Sequence, residues 1–361
     1  MPAGKPRTRI ARLASRWRHD TETEWELKQC RKIISRFRPE IIHVFGTERS
    51  FGLLAGEVQA PLVVHIQGNV TVYARKWFSG LTPFDVLRFG NIRDFVHGVG
   101  PFHEYYQFLN VAAREREIFQ RCRYFMGRTA WDRRITRILS PKSTYYHCDE
   151  LLRPAFSRNT WCPHGRGNPI LWSTVRNATY KGLETIVEVA GLLQVRAGMK
   201  VEWKVAGVTA NDAVVRIIER KHRVRMSAKG IALLGAVDEL DLLNGLLGAD
   251  IYVHPSHIDN SPNAVCEAMM LGMPVVSTAA GGIPTIVQDG REGILVQDGD
   301  PYSMAGAIQE LWSDQDLQEV LGRNARIRAL ERHDPEQIAR RVLEIYVDIL
   351  QKRTRGYHLP L

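Results

Sequence analysis

Strand-like apolar runs alternate with helical patterns along most of this 361-residue chain, and the runs end on Gly, Pro, Ser or Asn. From residue 170 the order is strand ILWSTV, helix Gly182–Arg196, strand VEWKVAGV, helix Asn211–Lys221, strand IALLGAV, helix Glu239–Leu247 and strand DIYVHPS. Strands PVVST and GILVQ follow, then helices from Tyr302 onward. Strands separated by helices pair side by side in parallel, so the class is α/β. The first half repeats the theme with IIHVFG (41–46), PLVVHIQG (61–68), RYFMGR (123–128) and STYYHC (143–148). Two long helices accompany these strands, TETEWELKQCRKIISRF and HEYYQFLNVAAREREIFQRC, whereas residues 69–100 are aromatic, loop-rich and unassigned. Phe156–Pro169, rich in Gly, Pro and polar residues, reads as a linker between two such units. In open α/β sheets ligands bind at the carboxyl ends of strands, so the loops there are where a site is expected.

One of those loops carries two acids. In SHIDNSPNAVCEAMMLGMPVVST, Asp259 follows a strand and Glu267 lies eight positions later, inside the next helix. Ser261 is expected to cap that helix, with Pro262 in its first turn. The N–H groups of Asn263, Ala264 and Val265 then form an anion site suited to a diphosphate. A carboxylate at Glu267, about one turn in, can accept from both hydroxyls of a ribose. Asp259 and the adjoining Asn260 and Ser261 lie toward the group beyond the phosphates. The turn AAGGIP adds a second backbone cradle at Gly281, Gly282 and Ile283. Either acid alone is as well explained by a helix cap or a surface carboxylate; the combination in this order is not.

Asp259-x7-Glu267 followed by GG-x-P resembles the carboxyl domain of group 1 (family 4) GT-B glycosyltransferases, over about Ile170–Tyr346. The resemblance implies a GT-B fold: two Rossmann-like domains facing each other across a cleft, the second holding a nucleoside-diphosphate sugar. It also implies retention of anomeric configuration and no cofactor or metal. By position, Glu267 would hold the ribose, Asp259 the transferred sugar, and Arg176 and Lys181 of VRNATYKG the diphosphate. Two departures stand out. Asp replaces the family's first Glu, shortening its reach, and Val175 replaces the usual Gly before Arg176. A histidine common after the second strand falls at Gln67, with His65 two residues earlier, so Gln67, His65 and Gly68 are acceptor-side candidates. Arg128, at the end of RYFMGR, is another. Asp298 and Asp300 of DGD read as a polar turn and helix cap, not a metal motif.

The implied layout is a basic arm over 1–20, an acceptor-side domain over 21–155, a linker over 156–169, a donor domain over 170–335, and a terminal helix and tail over 336–361 packing back on the first domain. No strand precedes IIHVFG, so the first domain is expected to lack its initial strands, leaving that strand at an edge covered by the helix from Thr21 or by a second copy.

The formal charge is +10, and Gly4–His19 contains no acid while placing Ile10, Leu13, Ala14 and Trp17 at helical spacing. That pattern suits an anionic membrane surface equally with a solvated terminus. No signature of nucleic-acid binding accompanies the charge, so no nucleic acid is expected. No apolar run is long enough to span a bilayer, and no signal-type stretch follows the N-terminus, which places the expected location in the cytosol, peripheral on the membrane at most. The five scattered cysteines form no CxxC. His147, Cys148, Cys162 and His164 match no zinc spacing. The expected partners are a nucleotide sugar and a glycan or lipid-linked acceptor. The alternatives are a nucleotide-sugar-binding subunit without catalysis, or a basic membrane or nucleic-acid adaptor. An NAD oxidoreductase is disfavoured because no G-x-G-x-x-G follows a strand with an acid about twenty residues on.

Overall fold

The computed structural model describes residues 23–164 and 167–354. They form two parallel sheets. The first domain runs α1 (Thr23–Phe37), β1 (Ile42–Phe45), β2 (Leu62–His65), α2 (Val70–Arg75), α3 (Pro83–Phe89), α4 (Ile92–Val96), α5 (Pro101–Arg121), β3 (Tyr124–Gly127), α6 (Ala130–Leu139) and β4 (Thr144–His147). Its strands lie in the order β1-β2-β3-β4, so β1 is an edge among the described residues. Helix α1 buries Leu27 with Val44, Leu53 and Phe125 on one face of this sheet. Phe45, on the edge strand, remains 66% exposed.

A short helix α7 (Pro154–Arg158) leads into the second domain. Phe156 and Trp161, in the segment read as a linker, are buried in the second domain's core beside Met269 and Leu271. The domain continues with β5 (Ile170–Thr174), α8 (Leu183–Arg196), β6 (Glu202–Ala206), α9 (Ala213–His222), β7 (Ile231–Gly235), α10 (Glu239–Leu247), β8 (Ile251–His254) and α11 (Asn263–Leu271). Then come β9 (Val275–Thr278), α12 (Ile283–Ile286), β10 (Ile294–Val296), α13 (Pro301–Ser313), α14 (Gln315–Arg332) and α15 (Pro335–Thr354). Strands bunched with β-branched residues on both faces need helices on both sides, which is what the two apolar clusters flanking this sheet provide. Helix α15 crosses back to the first domain, packing Ile338, Ile345 and Ile349 on Val63, Met126 and Tyr146.

The second sheet has the order β10-β9-β8-β5-β6-β7. From β5 the chain builds outward to β7, then returns to β8 on the other side of β5 and builds outward again. The order therefore reverses between β5 and β8. The helices that follow those two strands pack in the two different apolar clusters flanking the sheet, and in open α/β sheets this reversal is where ligands bind. The loops leaving those two strands carry Arg176 and Lys181 (after β5) and Asp259 (after β8).

The stretch 69–100, unassigned from sequence, folds as α2, α3 and α4. Thr82 and Asp85 cap α3 reciprocally, and Asn91 caps α4. These helices are five to seven residues of aromatic and mixed composition, too short to show a period. Among the described residues, no helix is long and apolar enough to cross a membrane.

Candidate active site

Gly182 fixes the first loop. Its φ is +74°, and a Cβ there would run into the carbonyl of Pro255. Only glycine lets the loop after β5 touch the loop after β8 this closely. The His257 amide and the Ser256 hydroxyl both donate to the Tyr180 carbonyl, at 2.9 and 3.3 Å. Lys181 is thereby held over Asp259: its Nζ donates to Oδ2 at 2.6 Å. His254 Nε2, from the last residue of β8, stands 3.2 Å from the same oxygen. Asp259 Oδ1 accepts from the Asn260 amide at 3.1 Å. Burial alone would push the Asp259 carboxyl up, but Lys181 and His254 outweigh it and hold it well below the usual range. A fixed negative charge with a lysine on it therefore sits at the sheet's switch point.

Glu267 is set differently. It is buried on α11 and clamped by a guanidinium, with Arg153 Nε donating to Oε1 at 2.8 Å and Nη2 to Oε2 at 2.7 Å. Here burial wins and the carboxyl is pushed above its ordinary value, although Arg153 pulls it down. Arg153 also lies 4.7 Å over the Phe156 ring and keeps its side chain 37% exposed, so the pair sits at the rim.

The start of α11 differs by one residue from expectation. Pro262 is the cap position, with no side-chain cap, and the helix begins at Asn263. Ser261 does not cap; its hydroxyl donates to Glu150 Oε1 at 3.2 Å. Glu150, which sequence reasoning did not single out, faces this helix end. The Asn263 amide, turned so that its nitrogen meets the carboxylate, donates to both Glu150 oxygens at 3.1 and 3.3 Å. Arg128 pairs with the same carboxylate from the first domain. A protein anion thus faces the side chains at the start of α11, and the Val265 amide, one of the three expected to be free for a phosphate, donates instead to the Pro262 carbonyl at 3.0 Å. Val265 is fully buried, and Ala264 half-buried beside it.

The AAGGIP turn closes on the same loop. Gly281 has φ +62°, and a Cβ there would meet the Asp259 carbonyl; one at Gly282 would meet the Asn260 carbonyl and the Thr129 methyl. The Gly282 amide donates to the Asp259 carbonyl at 2.9 Å. Ile283 is buried beneath. Across the domain boundary, Thr129 Oγ1 donates to Asn260 Oδ1 at 2.6 Å, and Asn260 Nδ2 donates to Asp132 at 3.1 Å. Thr129 and Asp132 also form the capping box of α6.

The acceptor-side candidates divide. Arg128 is buried, and one of its nitrogens donates to the Gln67 carbonyl at 2.6 Å, so the Gln67 contact runs through its backbone. Gly68 packs against the Tyr73 ring. His65 lies within the strand, 4% exposed, with ring centroid 5.5 Å from His43; burial, then His43 and Arg128, push its pKa down to about 3. It is a neutral core histidine away from Asp259. Tyr73, by contrast, is buried and feels the Asp259 charge; it stacks on Trp131 and packs at a tilt against Tyr180, building an aromatic wall beside the acid. Arg176 is exposed, and its charge reaches Tyr180 and Glu104 instead of the Asp259 pair. Asp300 caps α13 by accepting from the Ser303 amide, and Asp298 pairs with Lys76 of the first domain at 3.2 Å.

Sequence reasoning missed His254, Arg153 and Glu150. His254 carries a signal in hindsight, as a polar residue ending an apolar strand at the switch point. Arg153 and Glu150 lie in an irregular crossing segment whose pattern indicates nothing.

Two parallel sheets meeting at a switch-point site define the GT-B class of glycosyltransferase folds. The fold matches sucrose-phosphate synthase from Thermosynechococcus elongatus with a TM-score of 0.69 at 17% identity, covering 91% of this chain and 78% of that one. It matches Anabaena HepE, solved with UDP and glucose, at 0.61 and 16% identity, covering 87% and 79%. Residues 169–314 match the family model for glycosyl transferases group 1. The chain therefore carries a group 1 glycosyltransferase domain on a GT-B fold. Among curated relatives, D-inositol 3-phosphate glycosyltransferase of Corynebacterium kroppenstedtii is 38% identical over 31% of this chain. N-acetyl-alpha-D-glucosaminyl L-malate synthase of Bacillus anthracis is 30% identical over 35% of it. The matched part spans 25% and 32% of the length of those two proteins.

Proposed function

We propose that the protein is a retaining glycosyltransferase that moves a sugar from a nucleoside diphosphate to an acceptor hydroxyl in polysaccharide or glycolipid synthesis. The observation that carries this is the buried Lys181–Asp259 pair at the reversal of the second sheet, within the segment matched by the family. In this reading the bond from the anomeric carbon to the diphosphate oxygen breaks. The acceptor oxygen bonds that carbon from the same face, and its proton passes to the departing diphosphate. Lys181 and Arg176 stabilise the departing charge, Asp259 fixes the sugar hydroxyls, and Glu267 holds the ribose. No step calls on a metal ion. Arg176 points to solvent here, so its part requires a turn of its flexible side chain toward the donor.

Glu150 makes a specific demand: the donor's diphosphate must displace its carboxylate from Ser261 and Asn263. The same observation favours a second reading, a nucleotide-sugar-binding subunit in which that seat stays filled and no transfer occurs. A thermal-shift screen against common nucleotide sugars, followed by transfer assays on the hit, separates the two, since a true donor binds only the folded chain and raises its melting point. Stabilisation with turnover that Lys181→Ala and Glu267→Ala both abolish supports the enzyme. Stabilisation without hydrolysis or transfer across an acceptor panel supports the subunit. Near-normal turnover in both variants defeats the site assignment.

A further inference from the structure

Two loops meet at the carboxyl ends of β1 and β2, and Glu115 of α5 ties them together. Its buried carboxylate accepts from the Thr47 hydroxyl at 2.5 Å and from the Val70 and Thr71 amides at 3.0 and 2.6 Å. Gly46 opens the first loop with φ +79°. A Cβ there would run into the Glu48 carboxylate and stand 3.5 Å from Gln67 Cγ. Glycine at this position therefore lets the side chains of Glu48 and Gln67 lie beside each other. Gln67 meets Arg128 and Asn260 through its carbonyl, and among the described residues its side-chain amide has no hydrogen-bond partner.

Glu48 faces the cleft between the domains. The residue is exposed, yet burial is the main influence on its carboxyl and pushes it above the ordinary glutamate value. Glu115 adds to the rise, while the N–H groups of Glu48 and Thr47 and the charge of Arg128 oppose it. A group that water reaches while protein still surrounds it lies on the wall of a cleft. Its charge reaches Tyr73 and Tyr180, the two rings that also feel Asp259. The two acids thus flank one aromatic wall, Glu48 from the first domain and Asp259 from the second. The cations around Glu48 are engaged elsewhere. Arg128 pairs with Glu150, Lys181 with Asp259 at 2.6 Å, and Arg49 with Glu26 at 3.6 Å. Arg114 donates to the Glu48 backbone carbonyl. Among the described residues no cation lies within ion-pair distance of the Glu48 carboxylate.

We propose that Glu48, with Gln67 beside it, binds the acceptor as a neutral saccharide and rejects one that carries a phosphate or carboxylate next to the attacking hydroxyl. A carboxylate accepts from two neighbouring hydroxyls, and an amide both donates and accepts, which together suit the vicinal hydroxyls of a sugar ring. An anionic group would meet an uncompensated acid whose neighbouring cations are already paired. The word acceptor rests on the proposed transfer reaction; the preference for a neutral saccharide does not.

The test is ligand-observed NMR on the full chain, with and without UDP. The probes are the methyl glycosides of glucose, galactose, mannose and N-acetylglucosamine, and the phosphate monoesters of the same sugars. A neutral glycoside is expected to bind, and its phosphate monoester about tenfold more weakly. Glu48→Gln should weaken the glycoside about tenfold and narrow its lead over the phosphate, while Glu48→Asp, which keeps the charge, recovers part of the loss. Glycoside binding to the parent should fall as pH drops through the raised Glu48 pKa, because protonation removes the acceptor charge, and Glu48→Gln should show no such fall. A merely structural role would not move that profile. A melting temperature of Glu48→Gln near that of the parent shows that the fold is kept. Equal glycoside binding by Glu48→Gln, tighter binding of the phosphates by the parent, or no bound glycoside at all overturns the proposal. Glu48-dependent glycoside binding without turnover of any nucleotide sugar supports it and defeats the transfer reaction instead, so the two failures are told apart.

Discussion

The two acids of one loop and one helix, Asp259 and Glu267, are both buried, both paired with a cation, and pushed in opposite directions. Asp259 is held ionised by Lys181 and His254, which belong to the same domain and are fixed by the β5 and β8 loops. Glu267 has one partner, Arg153, contributed by the segment crossing between domains, and burial leaves its carboxyl easier to protonate. The difference teaches that spacing along a motif does not set the electrostatics of its acids. The number and origin of their partners do. Under the proposed function, the charge that must stay fixed while a sugar is transferred sits where the fold cannot loosen it, and the charge that would only grip a hydroxyl pair sits beside a side chain that can swing away.

The largest test of that distinction is Lys181→Met. Under the proposed function it removes the preorganised cation at the departing diphosphate, and it leaves Asp259 without its lysine, so kcat should fall about a hundredfold to a thousandfold. Steady-state kinetics with the donor found in the screen measures it. A loss confined to KM would break the comparison by making Lys181 a binding residue only.

The second test concerns stability and its pH dependence. Asp259→Asn breaks a buried pair and should cost about 3 kcal/mol at neutral pH. Because its folded pKa is depressed, that contribution is complete above the ordinary aspartate value and disappears only as pH falls through the lower folded value. Glu267 titrates the other way: its raised folded pKa means that protonation favours the fold, an advantage full below the ordinary glutamate value and lost as pH rises through the folded one. Glu267→Gln, which imitates the protonated acid, should therefore cost less than Asp259→Asn at pH 7, about 1 kcal/mol. Denaturant titrations of both variants at neutral and acid pH measure the gap, and equal losses at pH 7 would erase the distinction.

How much of this was legible follows from which forces set it. The second domain's strands and helices were readable because each is a long apolar or periodic segment punctuated by Gly, Pro or Asn. The β8 loop, α11 and the GG turn were readable as neighbours because they are close in sequence, and Lys181 only through the resemblance of VRNATYKG to the family's stretch; the tight approach of Gly182 to Pro255 that places it over Asp259 was not readable. Arg153 and Glu150 were not, because they meet α11 through a crossing segment whose course depends on how the two domains pack. Helices α2 to α4 were missed for a related reason: their stability comes from contacts with α9 and α5, not from their own period. Ser261 was misread as a cap because a hydroxyl before a proline fits that role locally, whereas Glu150 competes for it from far along the chain.

A third test uses the rim pair. Arg153→Ala leaves Glu267 buried without its partner, while Glu267→Gln leaves the guanidinium free to turn to water. If Arg153 merely stores Glu267 until a ribose replaces it, Glu267→Gln should raise the donor KM about tenfold with kcat little changed, and Arg153→Ala should do less. The reverse ranking would make Arg153 the nucleotide contact and Glu267 its support.

The smallest expected effect falls on Glu150, and it has the opposite sign. Its carboxylate takes hydrogen bonds from Ser261 and Asn263 and the charge of Arg128, which are the partners an entering diphosphate would need under the proposed function. Two anions do not share one seat, so donor affinity is reduced by whatever it takes to move the carboxylate out. Glu150→Gln keeps the shape and the capacity to accept hydrogen bonds but removes the charge. It should tighten donor binding a few-fold, up to about tenfold, with the gain shrinking as salt is added. Isothermal titration of the variant and the parent with the same nucleotide sugar reads this directly. Weaker binding in Glu150→Gln would mean that the carboxylate serves the bound state, holding Arg128 in place for the donor. The end of α11 would then be a site the protein completes with its own acid, not one that acid keeps filled.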